Sequence, residues 1–162
     1  MVDAESPDAF SPDELDTWST IATLLEWLPA ALDAQLQRDS GISHFEFGVL
    51  FALSEAEGNI LRMSELAGYA NSTLSRLSRA VARLERKEWA RRTPDPKDGR
   101  STVATLTEQG QEALRAAAPG HIALVRRLVF DSLTREQAQQ LGASSRRITA
   151  AIRHDPGWRP SA

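Results

Sequence analysis

Arg76 and Arg79 stand three residues apart among Ser72, Thr73, Ser75 and Ser78, and Arg83 follows one helical turn later. A guanidinium can donate two parallel hydrogen bonds to the acceptor pair of guanine, while short hydroxyls suit phosphates or either base edge. Such short side chains also let a helix backbone approach a surface closely. Downstream, Lys97 and Arg100 flank Asp98 and Gly99 in the run Pro94-Asp95-Pro96-Lys97-Asp98-Gly99-Arg100-Ser101. Prolines, aspartates and a glycine at this density make a hairpin tip. A basic tip can enter a narrow minor groove, where negative potential is enhanced. Asp98, two residues before Arg100, is expected to pair with an arginine and hold the tip in shape rather than touch a ligand. The chemistry on offer is the binding of a polyanion, not the making of bonds.

Net charge argues against this until it is divided along the chain. The 162 residues carry a formal charge of −3. Residues 1–75 have 2 basic and 13 acidic groups, residues 76–100 have 9 and 4, and residues 101–162 have 8 and 5. Positive charge is concentrated in one short stretch, and a local field attracts phosphates even on an acidic molecule. A charge run alone also fits a solvated helix face, so its neighbours must decide.

Other classes find little support. With 41% apolar residues the chain can bury a core. It has no cysteine, which excludes disulfides, thiolate metal sites and a cysteine nucleophile. His44, His121 and His154 are scattered, so neither a metal nor another cofactor is expected. There is no phosphate-binding loop, no dinucleotide-binding glycine motif and no nucleophile motif, so an enzyme is not expected. No apolar run approaches the ~18–20 residues that cross a bilayer. The acidic start lacks the basic and apolar regions of a signal peptide. A cytoplasmic protein without a membrane partner is the expectation.

The elements that must position these residues read clearly. Ser11 and Glu14 form a capping box with Pro12 at the first helical position. Leu15, Trp18, Ala22, Leu25, Leu28, Leu32 and Leu36 follow at helical spacing, with a kink expected at Pro29 and an end at Gly41. Ser43 and Glu46 open a second helix whose buried stripe is Phe47, Leu50 and Leu53. An extended piece at 60–62 leads into a short helix at 63–69, a tight turn at Ala70-Asn71 and a helix at about 72–87. Leu74, Leu77, Val81 and Leu84 share its inner face. Strands at 89–93 and 102–106 enclose the basic tip. Thr107 caps a helix that Pro119-Gly120 should bend or break, and Thr134 with Gln137 opens a last helix to about 153. Short helix, tight turn and polar-faced helix make a helix-turn-helix, whose second helix fits the major groove.

Several segments, quoted as they stand, resemble the MarR (multiple antibiotic resistance regulator) family. They are Leu66-Ala67 through Leu84-Glu85, Trp89-Ala90-Arg91-Arg92, Asp95-Pro96-Lys97-Asp98-Gly99-Arg100-Ser101 in the tip, and Leu106-Thr107-Glu108-Gln109-Gly110. The resemblance implies a mainly α fold with a small β wing: a winged helix-turn-helix with N- and C-terminal dimerisation helices. Residues 1–10 would be a disordered tail and 11–40 a dimerisation helix. Residues 43–107 would form the DNA-binding lobe, with a wing at about 89–106. Residues 108–154 would hold further dimerisation helices, and 155–162 a frayed end. The surplus of apolar residues at Leu15, Trp18, Leu25, Leu28, Leu128, Phe130, Leu133, Leu141, Ile148 and Ile152 suits a homodimer seam, although an intramolecular bundle would use some of them.

The implied function is regulation of transcription on a pseudo-palindromic double-stranded operator. Ser72, Thr73, Ser75, Arg76, Ser78, Arg79, Arg83, Lys97 and Arg100 would face DNA. The resemblance further implies a repressor released by a small aromatic or phenolic effector, in a crevice to which Trp18, Trp27, His44 and Phe47 would contribute. Two alternatives stay open: a regulator with no effector, and a dimeric interaction module whose winged face meets protein. Two departures stand out. Glu88 replaces the glycine common after the recognition helix, and Gly48 follows Phe47 where a urate-responsive branch has aspartate.

Overall fold

The computed structural model describes residues 9–155. Of the tails expected at 1–10 and 155–162, all but residues 9, 10 and 155 lie outside the described residues. The chain runs α1 (Pro12–Ser40), α2 (His44–Glu55), β1 (Ile60–Arg62), α3 (Met63–Tyr69), α4 (Leu74–Arg86), β2 (Ala90–Asp95), β3 (Asp98–Leu106), α5 (Glu108–Val125) and α6 (Arg135–His154). A π-helical turn, Arg126–Phe130, follows α5.

Three helix starts are fixed by reciprocal caps. Ser11 with Glu14, Ser43 with Glu46 and Thr134 with Gln137 each accept and return a backbone hydrogen bond. This satisfies N–H groups that have no partner inside the helix. Gly41, at φ 64°, closes α1. Fully buried Leu36, Ile42, Leu50, Leu53, Leu66, Leu77, Val81 and Leu84 join α1, α2, α3 and α4 in one core. The sheet is antiparallel in the order β1-β3-β2, with Arg62 opposite Val103 and Ala90 opposite Leu106. The segment at 60–62 is therefore the third strand of the wing.

The structure corrects several expectations about these elements. α5 is not broken at Pro119-Gly120 but continues to Val125. Gly120 serves close packing instead: a Cβ there would lie 3.0 Å from the Gln35 amide nitrogen of α1. Leu74 is exposed, and Ala80 takes its place in the buried face of α4. The hairpin is longer than expected, because the ladder continues through Pro94, with a bulge at Pro94/Asp95, and leaves a tip of Pro96 and Lys97. Finally, Glu88 does not blur the end of α4. It adopts φ 61°. The Glu88 N–H then donates to Glu85 O and the Trp89 N–H to Leu84 O, the paired bonds of a glycine-type helix stop. α1 also runs unbroken through Pro29.

Candidate nucleic-acid interface

α3, the turn and α4 form the helix-turn-helix. Asn71 takes φ 42° at the turn, a left-handed conformation that asparagine tolerates. The Ser72 N–H then donates to Ala67 O. Ser72 is buried, and its hydroxyl donates to Thr73 O at 3.1 Å. It does not belong to the exposed face, because α4 begins two residues later than its sequence position implied. Thr73 is the cap: its hydroxyl accepts from the Arg76 N–H at 3.1 Å.

Ser75, Arg76, Arg79 and Arg83 are exposed along α4. They are not equivalent. The Arg76 guanidinium sits 4.4 Å above the Phe45 ring of α2, a cation–π contact that limits its orientations. Arg83 donates to Glu46 Oε1 at 2.5 Å. Glu46 is buried, which raises its carboxyl pKa, yet the Ser43 N–H and the Arg83 guanidinium outweigh burial and hold it below the usual carboxylate range. Arg83 is therefore a strut between α4 and α2, and no longer the free cation expected from sequence. Ser78 is half-buried and accepts from Arg92 Nη1 at 2.8 Å.

Arg92 is a residue that sequence reasoning missed. Besides Ser78, it reaches Glu85 through Nη2 at 2.6 Å and Nε at 3.0 Å. This fork ties β2 to α4, and the Arg92 guanidinium holds the Glu85 carboxyl below its ordinary range despite partial burial. The pairing crosses seven residues and a change from helix to strand, so no helical or strand period marks it.

The wing tip rests on two aspartates. Asp98 Oδ1 accepts from the Arg100 N–H at 3.2 Å and its Oδ2 from the Ser101 hydroxyl at 3.0 Å. Its expected arginine partner is Arg100, but loosely, at 3.7 Å, with the Arg100 side chain 98% exposed. Asp98 thus shapes the tip mainly through the backbone. Asp95, unanticipated, makes the firmer link. It is buried, accepts from the Lys97 N–H at 2.8 Å and from Arg62 Nε at 2.6 Å, and so joins the tip to β1. The Lys97 N–H and then Arg62 hold its carboxyl below the usual range. Lys97 and Arg100 are left exposed. Leu74 and Ser78 of α4 share one cleft with Arg100 and Thr102, so helix and wing border the same side.

Of the four effector-crevice candidates, the structure brings two together. His44 and Phe47 line an apolar cleft of about 500 Å³ between α2 and α5, with Phe51, Leu114, His121 and Ile122. Trp18 and Trp27 do not join them; both are exposed on α1, Trp27 by 74%. The N-terminal part of α1 leaves Leu15, Trp18, Leu25 and Trp27 exposed, whereas Leu32 and Leu36 further along are buried. Among the described residues, no group of three or more His, Asp or Glu is placed to hold a metal. Among the described residues, no helix is long and apolar enough to cross a membrane either.

A helix-turn-helix followed by a basic two-stranded wing, over one core, defines a winged-helix protein. The family model described as MarR family matches residues 40–101. The crystal structure of Sco3205, a MarR family transcriptional regulator from Streptomyces coelicolor in complex with DNA, is 41% identical. It covers 97% of this chain and 98% of that one, with a TM-score of 0.90. The HTH-type transcriptional regulator YxaD of Bacillus subtilis is 35% identical over 85 residues, 52% of this chain and 58% of that one. The transcriptional repressor MprA of Escherichia coli is 25% identical over 118 residues, 73% of this chain and 66% of that one. The chain thus spans little more than half the length of YxaD. It belongs to the MarR family of transcriptional regulators.

Proposed function

We propose that the protein binds duplex DNA sequence-specifically as a homodimer. In this reading α4 enters the major groove with Ser75, Arg76 and Arg79, and the wing brings Lys97 and Arg100 to the neighbouring minor groove. Residues 43–107 act as the reading lobe, while 11–40 and 108–154 join two copies. The observation that carries the reading is the placement of exposed cations on α4 and the wing, over a frame tied by the Arg83–Glu46, Arg92–Glu85 and Arg62–Asp95 pairs. The DNA complex of Sco3205 supports it by likeness.

The finer reading is a repressor released by a small aromatic or phenolic effector. The name of MprA favours repression. The cleft between α2 and α5, lined by Phe47, Phe51 and His44, is apolar with a few polar groups and has the size of small-molecule sites. An effector seated there would act by favouring a spacing of the two lobes that DNA does not accept.

The test is selection of duplexes from a random pool by the purified protein, followed by affinity against salt on the enriched sequence. A two-fold symmetric sequence is expected, with a steep fall in affinity as salt rises, since each neutralised phosphate releases counterions. No preference for any duplex at low ionic strength would overturn the reading. A shallow salt trend with a protein partner would turn it toward an interaction module.

A further inference from the structure

Three consecutive residues in the first turn of α2 touch three different things. His44 stacks on His121 of α5, with ring centroids 5.7 Å apart and planes 29° apart. Phe45 lies beneath the Arg76 guanidinium. Glu46 accepts from Arg83. One turn of helix therefore connects α5 on one side with two arginines of α4 on the other.

His121 is half-buried, its ring 4.5 Å from that of Phe47. Its Nδ1 is buried without a hydrogen-bond partner. The charged and titratable groups around it come from three helices. α2 supplies His44, and α5 supplies Arg115, which lines the same cleft. From α1, Asp33 accepts from the His44 N–H at 2.8 Å, and Asp39 lies by Gly120 beside the Gln35 amide. Among the described residues, no carboxylate is hydrogen-bonded to the His121 Nδ1. Burial first, and then the charge on His44, pull its pKa below the ordinary 6.5.

We propose that a proton on His121 is a signal to the DNA-binding face: it breaks the stack on His44, displaces the first turn of α2, and loosens Arg76 and Arg83. This rests on the DNA-binding reading above. The sign follows from linkage. The stacked arrangement favours neutral His121, so it is fully favoured above about pH 6.5 and loses ground as pH falls below that value. Plain electrostatics predicts the reverse for DNA affinity, because an added imidazolium should strengthen phosphate binding. Acid-induced weakening therefore separates the switch from bulk charge.

The experiment measures anisotropy of a labelled duplex, enriched from a random pool at pH 8, against the full chain between pH 8 and 5.5 at fixed ionic strength. Wild-type affinity should fall roughly five- to tenfold, the lower end of typical coupling between two sites. His121→Phe, which keeps an uncharged ring against His44, should match wild type at pH 8 and lose the acid-sensitive part, while His121→Asn, which removes the stack, should bind weakly with no acid-sensitive fall. The same fall in both variants, or no fall in wild type, overturns the proposal. A second readout needs no DNA. In the free protein, the Nε–H resonances of Arg76 and Arg83 should shift with the midpoint of the His121 imidazole, and stay fixed in His121→Asn. If no duplex binds at all, the DNA-binding reading fails, and this coupling still stands or falls by those resonances.

Discussion

Arg76 and Arg79 sit on the same exposed stretch of α4, but only Arg76 is steadied by a ring beneath it. If each reads a base edge, Arg76→Ala and Arg79→Ala should each cost ~1–3 kcal/mol in operator binding and relax preference at one base position. Arg100→Ala should weaken binding with little change in preference, since the minor groove distinguishes bases poorly. Competition against a library of single-base operator variants would check both, and unchanged affinity in all three would refute the assigned face. These arginines were legible because residue type and spacing are local. Ser72 was misplaced for an equally local reason: Ser72 and Thr73 are both good caps, and only the closure of the Ser72 N–H onto Ala67 O selects Thr73. Glu88 makes a second prediction at this scale. Its φ of 61° costs a side chain more than it costs glycine. Glu88→Gly should therefore raise stability by about 0.5–1 kcal/mol, read as a higher urea midpoint at fixed protein concentration. A lower midpoint would mean that the Glu88 side chain contributes more than its backbone strain.

Elements were legible where a side chain caps its own helix, as at Ser11, Ser43 and Thr134. They were less so where another element intervenes. Pro119 did not end α5, because one lost backbone hydrogen bond is outweighed by continued packing on α1, which Gly120 permits. Arg92 with Glu85 and Asp95 with Arg62 join elements that the chain order alone does not bring together. Gly110, in the first turn of α5, shows the same dependence on a neighbour. A Cβ there would lie 2.0 Å from the Trp89 carbonyl oxygen. Backbone cannot yield as a side-chain end can, so Gly110→Ala should cost about 3 kcal/mol, and a chemical-denaturation midpoint equal to wild type would contradict the packing. The Glu46 strut gives a pH-dependent prediction. Its carboxyl is held below the ordinary 4.5, so its stabilisation is present above that value and lost as pH falls through the lowered one. Arg83 is nearly half exposed, so solvent screens the pair and about 1 kcal/mol is at stake. Glu46→Gln, which keeps the cap, should show a smaller stability loss between pH 5 and 3 than wild type. Equal slopes would remove Glu46 as the source.

At the scale of the molecule, the informative residues are those the single chain leaves uncovered. Leu15, Trp18 and Leu25 on α1 and Leu141, Ile148 and Ile152 on α6 are all exposed, Leu25 by 61%. Phe130 in the turn that precedes α6 is exposed too. An apolar surface carried by the first and last helices together is more than a lone soluble domain ordinarily shows. Burying one leucine-sized side chain is worth roughly 1.5–3 kcal/mol, so a handful of them can offset the cost of association. A second copy related by a two-fold axis would cover the same residues on both partners, and would set two α4 helices at a fixed spacing for two half-sites. Sedimentation velocity should therefore give a dimer for the wild-type chain. Leu25→Asp combined with Ile148→Asp should give a folded monomer that binds a two-half-site duplex about 100-fold more weakly, because the second contact is no longer held at high effective concentration. Circular dichroism would confirm that the variant keeps its helices. A double variant that remains dimeric would place the seam elsewhere, and one that becomes monomeric yet binds as tightly would show that a single lobe carries the affinity.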